Sequence, residues 1–118
     1  MGLANRGKDA EDRACIYLQA RGMTLLHRNF RSKRGEIDLI LQDSGSLVFV
    51  EVRYRQQAKF GSAAESVDRR KQAKLVACAQ HFLQTHPHTN QLACRFDVVA
   101  IDGQDGTINW IRNAFTTD

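Results

Sequence analysis

The start of the chain spaces its small and apolar side chains at helical intervals. Between residues 3 and 21 these side chains form one stripe: Ala4, Gly7, Ala14, Cys15 and Leu18. Their spacings of three and four predict a helix. Gly22 follows where a helix C-terminal glycine is typical.

Shorter apolar segments bounded by turn residues predict strands. They cover residues 24–31, 35–42, 47–55, 94–102 and 107–112. The sequence DSGS, residues 43–46, predicts a tight turn between the second and third strands.

A second helix is predicted with Asp68 as its N-cap, although Ser62 with Glu65 forms a competing capping box. Its buried stripe is Leu75, Val76, Ala79, Phe82 and Leu83. The helix is expected to end near His86, because Pro87 restricts the residue before it. The resulting order, α-β-β-β-α-β-β, predicts an α/β fold with a mixed sheet.

Length and composition restrict the class of protein. A chain of 118 residues fits one domain, residues 1–118. The charged start MGLANRGKDAEDRA is unlike a signal peptide, and no apolar run has transmembrane length. Three widely spaced cysteines suit reduced thiols in the cytoplasm. The net charge of +4 permits a nucleic-acid partner without establishing one.

Three carboxylates interrupt the apolar second and third strands. Alternation assigns the side chains of the second strand to two faces: Ile37, Leu39 and Leu41 on one, and Glu36, Asp38 and Ile40 on the other. The third strand divides likewise, into Val48, Val50, Val52 and Tyr54 on one face and Leu47, Phe49, Glu51, Arg53 and Arg55 on the other.

The turn sets which of these residues meet. A two-residue loop, Ser44–Gly45, or a symmetric four-residue loop places Asp38 opposite Glu51, and by the same register the other opposed pairs are Glu36 with Arg53, Arg34 with Arg55, and Ile40 with Phe49. A bulge or a three-residue loop would shift this register. In that register Asp38 and Glu51 are a like-charge pair about 5 Å apart. A shared proton, a cation or a bound metal ion would offset the repulsion, and Mg²⁺ favours one or two carboxylates.

Glu11 adds a third acid on the inward stripe of the first helix, between Gly7 and Ala14. A buried carboxylate needs a partner, so Glu11 is expected to reach the edge of the same site. The plainer interpretation is that the acids are solvated, and that Glu36 with Arg53 forms an ordinary cross-strand ion pair. The three acids on compatible faces favour a site.

Several segments match a known family in order: NRGKDAEDRACIYLQARG, RNFRSKRGEIDLI, LVFVEVRYR, ESVDRRKQAKL and FDVVAID. Together they resemble the YraN-like family of short, largely uncharacterised bacterial proteins. That family is similar to the PD-(D/E)xK nuclease-like superfamily, alongside archaeal Holliday-junction resolvases. The resemblance implies a restriction-endonuclease-like core, with a mixed five-stranded sheet flanked by helices.

The resemblance also implies roles for individual residues. Asp38 and Glu51 would be ligands of Mg²⁺ or Mn²⁺, Glu11 would complete the metal shell, and Arg53 falls where the superfamily usually has a lysine. Together these four would form the catalytic set. Arginine binds phosphate but cannot act as a base. Lys71 or another lysine is therefore a candidate substitute, and loss of cleavage stays open.

Basic residues surround these positions. Arg69, Arg70, Lys71 and Lys74 begin the second helix, where cations oppose the helix dipole unless an external anion is present. Arg31, Arg34 and Arg55 add charge near the open end of the hairpin. A solvated charged face is the simpler explanation, but both groups flank the predicted acid site. They are therefore candidates for nucleic-acid binding.

The leading hypothesis is a Mg²⁺-dependent nuclease or structure-selective DNA-binding protein, with branched DNA among the candidate partners. The alternative is a catalytically inactive nucleic-acid-binding module, and a third is a protein-interaction adaptor with structural acids. No membrane partner is expected, and a homodimer is left open. Asp97, in an apolar strand, is expected to bond to the backbone or to a basic side chain, with a metal role second.

Overall fold

The computed structural model describes residues 6–55 and 67–116. Its helices are α1 (Arg6–Ala20) and α2 (Arg69–Thr85), with a short 3₁₀ helix at Pro87–Thr89. Its strands are β1 (Thr24–Ser32), β2 (Gly35–Asp43), β3 (Ser46–Arg55), β4 (Ala93–Asp102) and β5 (Ile108–Phe115). The predicted order is confirmed. The predicted helix start before residue 6 and the competing capping box of Ser62 with Glu65 lie outside the described residues.

The strands form one five-stranded sheet in the order β1-β2-β3-β4-β5. β1, β2 and β3 pair antiparallel, β3 and β4 pair parallel, and β4 and β5 pair antiparallel. A parallel pair needs a crossover connection, and α2 lies within the one that links β3 to β4. The sheet is therefore mixed, as predicted, and is consistent with the restriction-endonuclease-like core.

Each helix covers one face of the sheet. The α1 core contains Ala10, Ala14, Cys15, Leu18, Leu39, Leu41, Val48, Val50, Val99 and Ile101. The α2 core contains Ile37, Ile40, Leu47, Phe49, Leu75, Cys78, Ala79, Phe82, Phe96, Val98 and Ala100. Gly7, predicted to be in the buried stripe of the first helix, is exposed. Val76 and Leu83 are partly buried at the margin of the α2 core.

The predicted register of the hairpin is confirmed over its paired length. Ser44 and Gly45 form the loop, and β2 pairs with β3 from Asp43–Ser46 to Leu39–Val50. Ile40 lies opposite Phe49, as expected. Within the described part of β2 and β3, backbone pairing stops one residue short of Asp38 and Glu51. The acids therefore lie where the two strands stop pairing.

One predicted face is wrong, because the side-chain alternation of β2 switches at Asp38. Ile37 was expected to share a face with Leu39, but Ile37 packs in the α2 core and Leu39 in the α1 core. The backbone of β1 changes at the same level, where Asn29 has a φ of 54° between Arg28 and Phe30. The switch leaves Asp38 between the two cores.

The start of α2 is fixed by its cap. Asp68 Oδ1 accepts a hydrogen bond from the backbone N–H of Lys71 at 2.8 Å, so the predicted N-cap is confirmed. His86 is the C-cap residue, in line with the expected end of the helix. Neither helix in the described ranges has both the length and the apolar character that a membrane crossing requires.

Candidate functional site

Asp38 and Glu51 meet at the end of the paired region of β2 and β3. Asp38 Oδ2 accepts a hydrogen bond from the backbone N–H of Val52 at 2.8 Å. Glu51 projects from β3, and only 5% of its surface is exposed. The two carboxyl groups are within hydrogen-bonding reach of each other. Together they form a carboxyl pair at the edge of the α2 core.

Burial makes both members of this pair hard to ionise. Desolvation and the charge of Glu51 raise the pKa of Asp38 to about 7, against the stabilising hydrogen bond from Val52. Desolvation also raises the pKa of Glu51, and the nearby cations Lys71 and Arg53 oppose that rise. Near neutral pH Asp38 is therefore only partly ionised, and a cation bound at the pair would displace its proton.

Two cations flank Glu51. Lys71 Nζ lies 3.5 Å from Glu51 Oε2, and Arg53 Nε lies 3.6 Å from the same oxygen. Lys71 projects from the first turn of α2, which the Asp68 cap holds in place. The lysine considered as a substitute for the usual superfamily lysine is thus in contact with the acid pair.

A cleft of about 480 Å³ opens beside these cations. It is lined by Arg53, Asp68, Arg70, Lys71 and Lys74. Four cations predicted from the sequence are therefore brought to one cleft. Arg69 is different, because it lies on a separate groove with Gln72 and Val76.

Glu11 points to a different partner. Its Oε1 lies 3.5 Å from Arg28 Nη2, and the same guanidinium nitrogen lies 2.8 Å from Asp12 Oδ1. The charge of Glu11 still contributes to the raised pKa of Asp38, so Glu11 is near the pair. Over residues 6–55 and 67–116, no group of three or more His, Cys, Asp or Glu side chains is arranged to hold an ion. The role of Glu11 as a third ligand stays a prediction.

At the open end of the hairpin, the side-chain partners differ from those that the predicted register gave. Glu36 Oε2 pairs with Arg31 Nε at 2.8 Å, on the neighbouring strand β1, so the considered ion pair between Glu36 and Arg53 is wrong. The cause is that β2 remains paired with β1 beyond the point where it stops pairing with β3. Arg34 lies in the β1–β2 turn, and Arg55 ends β3 opposite Asp102 of β4.

Asp97 has a structural environment. It is 1% exposed and receives hydrogen bonds from Arg95, from Trp110 Nε1 at 2.9 Å and from the backbone N–H of Asn113 at 2.9 Å. The expectation of backbone and basic partners is confirmed. Because these donors surround the carboxylate, Asp97 holds the irregular end of β5 against β4.

Sequence reasoning did not identify Arg28 as the partner of Glu11. A signal existed, because Arg28 is a cation near the middle of the predicted strand TLLHRNFR. The donor to Asp38 could not be found in this way, since the N–H of Val52 is a backbone group that every non-proline residue carries.

The chemistry of the carboxyl pair fits a small divalent cation. Mg²⁺ is held by one or two carboxylates with water completing its shell. The half-buried carboxyl group of Asp38 and the buried one of Glu51, both with raised pKa values and next to an open cleft, provide those two ligands. The donor set therefore fits Mg²⁺ or Mn²⁺ with Asp38 and Glu51 as its protein ligands.

Comparison with known proteins identifies relatives along nearly the whole chain. The family described as "Uncharacterised protein family UPF0102" matches residues 10–101. A UPF0102 protein of Nitrosococcus oceani is 49% identical over 116 residues, covering 97% of this chain and 94% of the relative. One of Saccharophagus degradans is 56% identical over 110 residues, covering 93% and 92%. One of Ralstonia nicotianae is 53% identical over 118 residues, covering 97% and 88%.

Proposed function

This chain belongs to the UPF0102 family, which is the YraN-like family expected from the sequence. We propose that it is a metal-dependent nuclease that hydrolyses phosphodiester bonds in nucleic acid. The family description names no activity, so the proposal rests on the site. The observation that carries it is the contact between the carboxyl groups of Asp38 and Glu51 beside a cationic cleft.

The combination of charges supports phosphate chemistry. Two carboxyl groups in contact disfavour each other's ionised form, so the pair does not stabilise the fold when it is charged. A purely structural role therefore explains the pair poorly. A cation at the pair and a phosphate anion in the cleft would balance both sets of charges. Arg53, Arg70, Lys71 and Lys74 supply the positive wall of that cleft.

The proposed mechanism divides the work among four residues, with Glu11 as a fifth that joins on one condition. Asp38 and Glu51 would hold the ion, which supplies Lewis-acid stabilisation of charge on the phosphate when bound. Arg53 would hold a phosphate oxygen through its planar guanidinium group. Lys71, in contact with Glu51, would orient the attacking water and stabilise developing negative charge. Glu11 would join the metal shell only by leaving Arg28.

DNA, including branched DNA, is the first substrate class to test, because the proposal includes the likeness to the PD-(D/E)xK superfamily and to archaeal Holliday-junction resolvases. The cytoplasm is the proposed compartment. Purified protein with Mg²⁺ or Mn²⁺ is expected to cut at least one substrate in a panel of single-stranded, duplex and four-way-junction DNA and of RNA. Asp38→Asn and Glu51→Gln are expected to abolish cutting.

Glu36→Gln is the matched control. It makes the same carboxyl-to-amide change on the strand that carries Asp38, at an acid that pairs with Arg31, and is expected to cut at the wild-type rate. An intact panel with folded wild-type protein would contradict the proposal, as would equal loss of cutting in all three variants.

The second candidate is a nucleic-acid-binding module without turnover. Arg53 favours it, because arginine stays protonated and cannot activate water. In that case wild-type protein binds DNA but leaves it intact. If Arg53→Lys then gains metal-dependent cutting, the site is a degenerate nuclease site.

A further inference from the structure

A second cavity lies farther along α2, outside the carboxyl site. It has a volume of about 660 Å³. Its walls are Ser32 at the end of β1, Lys33 and Arg34 from the β1–β2 turn, and Ala77, Gln80, His81 and Gln84 from α2. We name it the turn cavity. Its position on the same helix as Lys71 connects it to the proposed nuclease site.

The lining of the turn cavity suits an anion. Lys33 and Arg34 carry positive charge, and His81 and two glutamines add hydrogen-bonding groups. Among the residues that the structure describes, no carboxylate lines the cavity, and α2 has none from Arg69 to Thr85. The nearest acid in sequence, Glu36, is neutralised by its ion pair with Arg31. A phosphate group would match this set of donors.

The walls of the cavity are held together by buried contacts. Cys78, fully buried in α2, lies with its Sγ 3.6 Å from the backbone oxygen of Gly35 and 3.8 Å from that of Phe30, and its single S–H points to these two acceptors as a shared donor. Gly35 passes close to α2, because a Cβ there would lie 3.5 Å from Lys74 Cβ. The turn with Lys33 and Arg34 is therefore fixed against the helix.

The cavity continues one face of α2. The cleft and the turn cavity share a stripe with spacings of four and three residues: Arg70, Lys74, Ala77, His81 and Gln84. Lys71, which contacts Glu51, precedes His81 by 10 residues, or about 15 Å along a helix. At one phosphate per roughly 3.4 Å of duplex axis, that distance corresponds to about four phosphates of one strand.

We propose that the turn cavity binds the sugar–phosphate backbone of the substrate strand about four nucleotides from the phosphate held at Asp38 and Glu51. This inference rests on the proposed function and specifies its substrate class. The substrate is a polynucleotide strand that extends beyond the site, rather than a mononucleotide or another small phosphorylated molecule. Lys33 and Arg34 contact the distal phosphates, and His81 and the glutamines contact the same backbone.

The test measures how affinity depends on strand length. Binding of labelled oligodeoxynucleotides of about 3 and about 12 nucleotides is measured without metal in the Asp38→Asn background. Lys33→Ala/Arg34→Ala is compared with Arg13→Ala/Arg21→Ala, which removes the same charge from α1 and the turn that follows it. We expect Lys33→Ala/Arg34→Ala, the turn-cavity variant, to weaken binding of the longer strand about tenfold. It should also reduce the slope of log affinity against log salt concentration by about 1 to 2. The control is expected to change affinity less than about twofold.

The affinity gained by lengthening the strand is the deciding quantity. The proposal is supported if this gain falls in the turn-cavity variant and is kept in the control. It is overturned if both variants keep the gain or lose it equally, which indicates general electrostatics. Inorganic phosphate is titrated as a separate probe; saturable binding that the turn-cavity variant abolishes, with no effect of strand length, indicates a small-anion site and also overturns it.

Failure here differs from failure of the proposed function. If the length gain depends on the turn cavity but metal never supports cutting, the nuclease proposal fails and the strand-binding inference holds. If the protein cuts DNA but the length gain is independent of Lys33 and Arg34, the inference fails and the nuclease proposal holds.

Discussion

The carboxylate of Asp38 accepts the backbone N–H of Val52 at 2.8 Å, so this side chain replaces a strand partner where β2 and β3 stop pairing. The same carboxyl group also meets Glu51. A residue that ends a sheet pairing is thereby placed in the candidate site. Substitutions of Asp38 separate the two roles, since asparagine keeps an acceptor for Val52 and removes the charge.

The stability of the protein should depend on pH through Asp38. Its pKa is raised from 3.8 to about 7 in the folded protein, so the folded state binds more protons than the unfolded state between these values. The contribution of Asp38 to the free energy of unfolding is fully present below about pH 4 and is lost as the pH rises through about 7. Asp38→Asn is therefore expected to raise the free energy of unfolding by on the order of 4 kcal/mol at pH 8 relative to its effect at pH 4.

Urea unfolding at the two pH values measures this difference. Glu36→Gln serves as the control, because this exposed acid pairs only at the surface and should change stability by less than about 0.5 kcal/mol. A pH-independent effect of Asp38→Asn would show that Asp38 ionises normally in the folded protein.

Divalent ions should stabilise the folded protein. Mg²⁺ binding to the native carboxyl pair raises the melting temperature, by an amount that corresponds to about 2.7 kcal/mol at 100 times Kd. The rise should be larger at pH 8 than at pH 5.5, because protons compete for Asp38 and Glu51. Thermal unfolding with and without chelator measures it.

The ion effect should require both acids. Asp38→Asn and Glu51→Gln are expected to lose the Mg²⁺-dependent rise, while Glu36→Gln keeps it. Sodium chloride at matched ionic strength controls for screening. An equal rise with sodium, or retention of the rise in both pair variants, is inconsistent with an ion site at the pair.

Lys71 should control the protonation of Glu51. Its ammonium group, 3.5 Å from Glu51 Oε2, lowers the pKa of that carboxyl group against the effect of burial. Lys71→Met should therefore raise the pKa of Glu51 further. Carboxyl ¹³C NMR titration measures the change, and Lys74→Met, which also removes a cation from the cleft, is the matched control. Equal shifts in both variants would mean that the contact has no special effect.

Asp97 should matter for folding and not for the candidate site. Asp97→Ala leaves the Arg95 guanidinium, Trp110 Nε1 and the Asn113 N–H without their acceptor. We expect a loss of roughly 3 kcal/mol in urea unfolding, with Mg²⁺ stabilisation retained in the folded fraction. Asp102→Ala, which removes the acceptor of the Gln104 N–H at the end of β4, should cost less than about 1 kcal/mol. Similar losses in both variants would contradict the buried role of Asp97.

Local patterns predicted most of the architecture, because each depended on neighbouring residues. The two-residue turn fixed the pairing of Ile40 with Phe49, and Asp68 capped the helix as expected. The same register carried Asp38 close enough to Glu51 for the carboxyl groups to meet. The candidate acid pair was thus predictable from turn length and strand period.

The misassigned details depended on contacts distant in sequence or on backbone angles. The face of Ile37 followed from the switch at Asp38 and the positive φ of Asn29, neither of which apolar alternation encodes. Glu36 paired with Arg31 because β2 keeps its β1 partner after leaving β3. Arg28, 17 residues from Glu11 in sequence, became its partner only through folding.

The switch of alternation at Asp38 also has an evolutionary consequence. Ile37 is packed beneath one helix and Leu39 beneath the other, so replacing either opens a cavity in a core. Asp38 fills neither core. Replacing Asp38 by another small hydrogen-bond acceptor therefore changes the charge at the candidate site while both cores stay packed. The packing of both cores can thus be kept while the residue at the candidate site changes. Resemblance in the cores alone therefore does not show which relatives share an activity.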